Sequence, residues 1–481
     1  MASCLFATMD TLKTMAIVSF QIYTFAALLL GSGNFKSLRI FLLFLLIPSL
    51  SLGLTFSNGK EVKDNNSNKT KVSNNDTVND KYVIKNPGLI FIGLENLIEN
   101  ISASGDKKID DCRKYRRFAK KNFDNYKFEA SREGDIKWSI EDDLTGPLTV
   151  IFCKYLSGKV LDKEDENLQS QINLIKTFLI KLSQSDYLNS FPKQNDDSQH
   201  AYETSGAIIP TLFIYSQFQN EFDLEEKSKI KKMFLDLEKK NRYTFNPSQV
   251  GDGSTYNNHG MYTNNYRLLV SILFNEKKMF NESINFFLEQ MKYNETETGL
   301  FKIDSKRGSC ALHYNLHNLS PLMSILWNLN LQGIDLSEIK LNSKHSISDI
   351  ISVIIDSVED PKLVIEQNKK LGYSSPFSLI SCYNWMSNEE KNKYVIKFNN
   401  EDLVMPYASS YWINIFMALT DNQNVYNKFI SSQRLQNQYY YDGSDEESFV
   451  GLYSKYFLSK PLELDKINKN DLLEELETAI Q

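Results

Sequence analysis

Cysteine is scarce in this chain of 481 residues, and its five cysteines are widely spaced and odd in number. No Cys-x-x-Cys pair occurs, which excludes the usual cysteine-based zinc and redox motifs. The spacing does not predict a disulfide framework, although the four cysteines after the first could form up to two bridges in an oxidising compartment. The cysteines are Cys4, Cys112, Cys153, Cys310 and Cys382.

An excess of basic residues is also absent, because 54 Lys and Arg are set against 60 Asp and Glu, for a net charge of -6. The chain therefore lacks the basic footprint of a nucleic-acid-binding protein, and an anionic ligand would have to be held by locally placed cations. With 42% hydrophobic and 12% aromatic residues, the chain has enough apolar material to fold around a core.

The N-terminal residues 1–57 contain two short apolar runs. The second, at 40–54, follows the basic stretch 36–39 and has the form of a signal peptide, which predicts export to the periplasm or the cell exterior. The earlier run, at 15–30, is equally short for a membrane-spanning helix. Either the true start lies later and only the second run is a signal, which we favour, or both runs form a membrane anchor.

Residues 58–89 are predicted to be a low-complexity linker. From 58 to 80 the sequence NGKEVKDNNSNKTKVSNNDTVND has no aromatic residue. Such a segment cannot bury enough apolar area to offset its ordering entropy. The folded domain is therefore placed at residues 90–481.

Helical periodicity dominates residues 90–481, whereas alternating strand patterns bounded by hairpin turns are scarce. Apolar residues recur every three or four positions near 168–182, 262–273 and 319–326, so each segment has one apolar helix face. The predicted class is all-α. Repeated helix pairs over so long a segment indicate a toroid or solenoid of α-hairpins.

Three of the five histidines lie between positions 259 and 317, in two polar, aromatic-rich stretches. The first stretch, DGSTYNNHGMYTNNY, places Asn257, Asn258 and His259 just before a helix predicted to begin near Gly260. Donors presented at a helix start suit an anion. The alternative is that Asn258 or His259 only caps the helix.

The second stretch, KRGSCALHYNLHNLSPL at 306–322, contains His313, Tyr314 and His317 at spacings that place them on adjoining helix faces. The Ser-Pro pair at 320–321 is also a helix start, which would put His317 in the preceding turn. An HxxxH pair can bind zinc, but this one lacks the glutamate of HExxH, so neither metal nor cofactor is predicted. The alternative is that Tyr314 and His317 are hydrogen-bonded interior residues.

Together the two stretches resemble the alginate lyase family, whose members carry Asn-Asn-His at a helix start and, downstream, Lys-Arg, Ala-Leu, Tyr and Leu-x-Pro-Leu in that order. Here these are Asn257-Asn258-His259, Lys306-Arg307, Ala311-Leu312, Tyr314 and Leu319-Ser320-Pro321-Leu322. The resemblance covers roughly residues 240–335. It implies an incomplete (α/α) toroid of helical hairpins with a tunnel-like cleft.

Two positions depart from that family pattern. Cys310 stands where the family has an arginine, and His317 stands where it has the tyrosine that serves as acid and base. Asn258 and His259 match the family's substrate-carboxylate and catalytic positions. Tyr314 matches a common family tyrosine that is not the usual proton carrier.

The resemblance implies β-elimination on an alginate-like, uronate-containing polysaccharide or oligosaccharide. The reaction removes the proton at C5, stabilises the adjoining carboxylate and protonates the departing O4. The residues expected to bind the substrate are Asn257, Asn258, Arg307 and Asn318. Those expected to transfer protons are His259, Tyr314 and His317.

The departure at His317 is compatible with catalysis. A histidine, with an ordinary pKa of about 6.5, is a better-matched base at neutral pH than a tyrosine. Because one sugar must meet both the carboxylate-binding and the proton-transferring groups, we expect the two stretches to meet in space.

Two other functions compete with the lyase. One is a non-catalytic carbohydrate-binding or surface protein on the same toroid, which the departures at Cys310 and His317 motivate. The other is a hydrolase with paired carboxylates, but no acidic pair stands out near the two stretches. A basic segment at 112–121, CRKYRRFAKK, is either a subsite for an acidic chain or, as we favour, a solvated charged face.

Overall fold

The computed structural model describes residues 81–103, 126, 128, 139–161, 165–190, 197–337, 340, 344–372, 395–398, 401–404, 412–432 and 434–435. They all belong to one compact unit, residues 77–481. The predicted targeting segment, most of the predicted linker and the basic segment at 112–121 lie outside the described residues. Within those ranges, no helix combines the length and the apolar character that crossing a bilayer requires.

Helices account for most of the described residues, so the all-α prediction is confirmed. The helices are α1 (Leu94–Ala103), α2 (Gly146–Val160), α3 (Asp165–Gln184), α4 (Tyr187–Ser190), α5 (Asp197–Phe218), α6 (Leu224–Asn241), α7 (Pro247–Tyr256), α8 (Asn258–Leu273), α9 (Lys277–Tyr293), α10 (Ala311–His317), α11 (Leu319–Leu331), α12 (Ile347–Glu359), α13 (Lys362–Lys370), α14 (Trp412–Thr420) and α15 (Gln423–Ser431). A π-helical turn spans Glu141–Thr145, and 3₁₀ turns span Gln219–Glu221, Arg242–Phe245, Asp304–Lys306 and Gly308–Cys310.

One antiparallel hairpin, β1 (Val395–Phe398) and β2 (Glu401–Val404), supplies the only strands in the described part of the chain. Its register places Val395 opposite Val404. Strand β2 packs on α10 and on the 3₁₀ turn Gly308–Cys310, so the hairpin lies against the second histidine stretch.

The local sequence explains where several helices begin and which face they bury. Asp223 and Glu226 form a reciprocal capping box at the start of α6. In α3 the predicted apolar face is confirmed, because Ile175, Leu179 and Leu182 are all buried.

The helices pack as hairpins that form an incomplete (α/α) toroid. Helix α2 packs on α3, and α8 packs on α9. Helix α8 also contacts α5, α6 and α11, and all 16 of its residues are buried. It is therefore the central helix of the described core.

The folded part begins earlier than the predicted boundary at residue 90. Tyr82 is buried, and its backbone N–H donates to Oδ1 of Asn281 at 2.8 Å. The N–H of Gly88 donates to the carbonyl of Ile272 in α8 at 3.1 Å. Residues 81–89 were assigned to the linker, but the side chains of Tyr82 and Ile84 are buried in the core.

Candidate active site

The first histidine stretch forms the N-terminal turn of α8. Asn257 is the cap, because its Oδ1 accepts the N–H of His259 at 2.8 Å. The prediction that Asn258 or His259 could be the cap is therefore wrong, and both side chains point elsewhere. Gly260 is required at this turn, since a Cβ would lie 1.7 Å from the carbonyl oxygen of Thr255.

The second stretch forms α10 and the turns that precede it. His317 is the last residue of α10, and α11 begins at Leu319, so the Ser-Pro pair lies inside the first turn of α11. The rings of His313 and His317 lie 5.5 Å apart between centroids, on one side of α10. Both are buried, at 8% and 5% exposed.

Tyr202, from the second turn of α5, joins the two stretches. Its ring stacks on that of His259 with centroids 4.8 Å apart and 14° between planes. Its hydroxyl shares a hydrogen bond of 3.1 Å with Nε2 of His317. Ser198, one turn earlier, shares a hydrogen bond of 3.0 Å with Nδ1 of His259. We call Ser198, Tyr202, His259 and His317 the imidazole cluster.

The two stretches also meet at Arg307, as predicted. Its Nη1 donates to Oδ1 of Asn258 at 3.2 Å, and its guanidinium carbon lies 3.5 Å from the centroid of the Tyr314 ring. The Arg307 side chain is 33% exposed, so this cation is accessible to solvent, whereas the histidines are buried. Because Oδ1 of Asn258 accepts from Arg307, its Nδ2 is the remaining donor of that side chain.

Behind Arg307 lies a buried carboxylate that was not predicted from the sequence. Asp304 is fully buried, and its Oδ1 lies 4.0 Å from Nη1 of Arg307. Burial raises the pKa of Asp304 to about 6, against the opposing effects of Arg307 and of a hydrogen bond from Asn318. That bond, from Nδ2 of Asn318, is 2.5 Å long. Asn318 is thus bound to Asp304, and its role in substrate binding stays a prediction.

Cys310 lies in the 3₁₀ turn between Arg307 and α10. Both Cys310 and Cys153 are disulfide-bonded, whereas the spacing of the cysteines did not predict a framework. The reason is that bridges join residues brought together by the fold, which isolated cysteines far apart in sequence do not reveal.

No sequence pattern predicted that α5 would contribute residues to the site. Ser198 and Tyr202 are single residues 61 and 115 positions from their hydrogen-bond partners. The one available hint is that α5 opens with the polar run DSQHAYE before it becomes apolar. In the described part of the chain, no group of three or more His, Cys, Asp or Glu side chains is arranged to hold a metal ion.

The sequence profile of the alginate lyase family matches residues 65–364, which is more than half of the chain. The chain therefore belongs to the alginate lyase family. No curated protein sequence matches it at a significant level.

Solved structures of alginate lyase A1-III are similar to this chain. The crystal structure of the enzyme from Sphingomonas species A1 is 14% identical, with a TM-score of 0.42, over 72% of this chain and 92% of that one. A histidine-to-alanine variant complexed with tetrasaccharide is 15% identical, with a TM-score of 0.44, over 63% of this chain and 77% of that one.

Proposed function

We propose that this protein is a polysaccharide lyase that cleaves an alginate-like, uronate-containing glycan by β-elimination. Its family membership supports the general class. The observation that carries the proposal is the juxtaposition of the Arg307–Asn258 pair with the histidines that Tyr202 joins. One end of the site offers donors to an anion, and the other offers groups that exchange protons.

The substrate carboxylate would be bound by Arg307 and Asn258. Removing the C5 proton places negative charge on the carboxylate, so donors aimed at it stabilise the transition state more than the ground state. Arg307 supplies the charge and Nδ2 of Asn258 a neutral hydrogen bond. The Tyr314 ring under the guanidinium holds the cation in place through a cation–π contact.

Proton transfer would fall to the imidazole cluster. Ser198 fixes the orientation of the His259 ring through Nδ1, and we assign the C5 proton to the opposite ring nitrogen, Nε2. A free imidazole, with an ordinary pKa of about 6.5, is mostly neutral at physiological pH, so this type of group is well suited to act as a base. Tyr314 lies against Arg307, and its ring centroid is 6.3 Å from that of His317, so we place it at the cation rather than at the base.

The electron balance of the reaction requires no cofactor. The pair of electrons left by the C5 proton forms the C4–C5 double bond, the C4–O4 bond breaks, and O4 takes up a proton. The new double bond is conjugated with the carboxylate and absorbs in the ultraviolet, which hydrolysis does not produce.

The test is to incubate purified protein with alginate, other polyuronates and glycosaminoglycans and to follow that ultraviolet absorbance. We expect it to rise with at least one polyuronate. Binding of the glycan without absorbance would instead support a carbohydrate-binding protein on the same toroid. New reducing ends without absorbance would indicate a hydrolase.

We also propose that the protein is exported, to the periplasm or the cell exterior. The signal-like residues 36–54 support this, and so do the disulfides at Cys153 and Cys310, because disulfides persist in oxidising compartments. Fractionation of cells that express the full chain tests it. Recovery of the protein with reduced thiols from the cytosol would contradict the proposal.

A further inference from the structure

Tyr202 contacts two histidines of the site, His317 through its hydroxyl and His259 through its ring. Its oxygen is 3.1 Å from Nε2 of His317, while the face of its ring covers His259. The ring of Tyr262 packs edge-on against Tyr202, with centroids 5.2 Å apart. Packed on two sides, the phenol has little freedom to turn, and its hydroxyl is held at one point.

The hydrogen bond to Tyr202 changes what His317 can do. Its Nε2 is engaged with the phenol oxygen and is therefore not free to accept a proton from a sugar directly. The group that the Tyr202–His317 pair can present to a sugar is therefore the hydroxyl. His317 acts on the reaction through Tyr202, which makes it a positioning residue.

We propose that Tyr202 is the general acid of the site, which protonates the departing O4, while His259 takes the C5 proton. This assignment rests on the proposed lyase function. As the C4–O4 bond breaks, the phenol proton moves to O4, and Nε2–H of His317 donates a hydrogen bond to the phenolate that remains. The base gains one proton and the acid loses one, so the step is balanced.

The chemistry of the two groups favours this division. A phenol is neutral at physiological pH, yet it is a much stronger acid than the sugar hydroxyl that it would create, so proton transfer to O4 is downhill. An imidazole is the better base at the same pH. When two neighbouring titratable groups have well-separated pKa values, one can be assigned as the acid and the other as the base.

The test compares two leaving groups in the variant Tyr202→Phe. On a polyuronate, kcat should fall by roughly 100-fold or more with KM little changed, because the acid is missing. On a 4-deoxy-4-fluoro uronide the same variant should remain close to wild type, since fluoride departs without a proton. Tyr262→Phe is the matched control, and it should behave as wild type on both substrates.

Two results would overturn the assignment. One is full activity of Tyr202→Phe on the polymer. The other is an equal loss on both substrates by a variant that melts at the wild-type temperature, which would place Tyr202 in substrate binding or base catalysis. An inactive wild type would instead refute the lyase function itself, and the acid role with it.

A second variant covers the case in which Tyr202→Phe does not fold. A fluorinated tyrosine incorporated at position 202 keeps the ring and the hydroxyl but lowers the phenol pKa. If Tyr202 must be protonated to act, the alkaline limb of the kcat profile moves to lower pH. An unchanged alkaline limb would refute the proposal. His317→Gln, whose amide can donate in place of Nε2–H, should recover part of the activity that His317→Ala loses.

Discussion

Helix α8 carries two buried polar regions, and they differ in how their charges are compensated. At its start, His259 belongs to the imidazole cluster. Two turns later, Arg267 lies between two carboxylates, with Nε 3.2 Å from Oε1 of Glu238 and Nη2 bonded to Glu282. Arg242 also pairs with Glu238, at 2.6 Å. We call Glu238, Arg242, Arg267 and Glu282 the ion network.

Burial alone therefore does not distinguish a structural region from a functional one. In the ion network two cations face two anions, and burial lowers the pKa of Arg267 while both carboxylates oppose that effect. Removing one of these charges leaves the network with an excess of the opposite sign. The imidazole cluster joins hydroxyls and imidazoles, which exchange a proton without leaving an isolated buried ion, and it lies beside the partly exposed Arg307.

The strongest effect is predicted for a substitution in the imidazole cluster, and it is an effect on catalysis. His317→Ala should reduce kcat on a polyuronate by about 10² to 10⁴ with little change in KM, because it removes the partner of Tyr202. The acid limb of the pH profile should persist, since the proposed mechanism assigns the base to His259. Loss of that limb in steady-state kinetics would show that His317 is the base instead.

In the ion network we expect substitutions to lower the stability of the fold. Arg267→Ala removes the buried cation beside Glu238, whose side chain is 2% exposed, and leaves it only the half-exposed Arg242 as a partner. The free energy of unfolding should fall by about 3 kcal/mol. The control is Arg242→Ala, which removes a side chain that is 51% exposed and should cost about 1 kcal/mol or less. Urea denaturation measures both. Equal losses would show that burial of Arg267 is not what matters.

Asp304 is a buried carboxylate, as Glu238 of the ion network is, but it lies beside Arg307 at the candidate site. The pH dependence of stability tells which of the two regions it resembles. Its raised pKa, about 6 against 3.8, means that the folded state binds its proton more tightly than the unfolded state does. The stability that this group contributes is therefore present at low pH and is lost as the pH rises from 3.8 to about 6. Relative to Asp304→Asn, wild type should lose about 3 kcal/mol between roughly pH 3 and pH 8, a difference read from urea midpoints.

The control for this pH dependence is Asp236→Asn, which changes a carboxylate that is 46% exposed. It should follow the wild-type pH dependence closely. If Asp304→Asn also follows wild type, the buried carboxyl does not titrate in that window, and Asp304 belongs with the fully compensated charges of the ion network.

The smallest expected effect is on substrate binding. Arg307→Gln removes one charge-assisted contact, worth about 1.5 to 3 kcal/mol, with a carboxylate that is charged in the ground state and gains charge in the transition state. We therefore expect kcat/KM to fall roughly 10- to 100-fold through a higher KM and a lower kcat together. Lys306→Gln changes the adjacent exposed cation and should leave KM near wild type. A fall in kcat without a change in KM would place Arg307 in the chemical step rather than in binding.

Sequence periodicity was sufficient to predict α3, α8 and α11, because each buries an apolar face that recurs every three or four residues. The meeting of the two histidine stretches was predictable only through the family resemblance. Tyr202 and Asp304 were missed for a physical reason: each is a single polar residue whose importance depends on a contact made by tertiary packing. No local pattern records such a contact.

The complete burial of α8 has a consequence for how the site responds to thermal motion. Regions that open independently are those with few buried contacts, whereas a helix buried on every side opens only with the whole domain. The amides of α8 should therefore exchange with deuterium among the slowest in the protein. His259 lies at the start of this helix, which should open only when the whole domain unfolds. Arg307, by contrast, lies on a short turn nearer the surface. Upon mild heating, substrate affinity should decline before the proton-transfer geometry is lost.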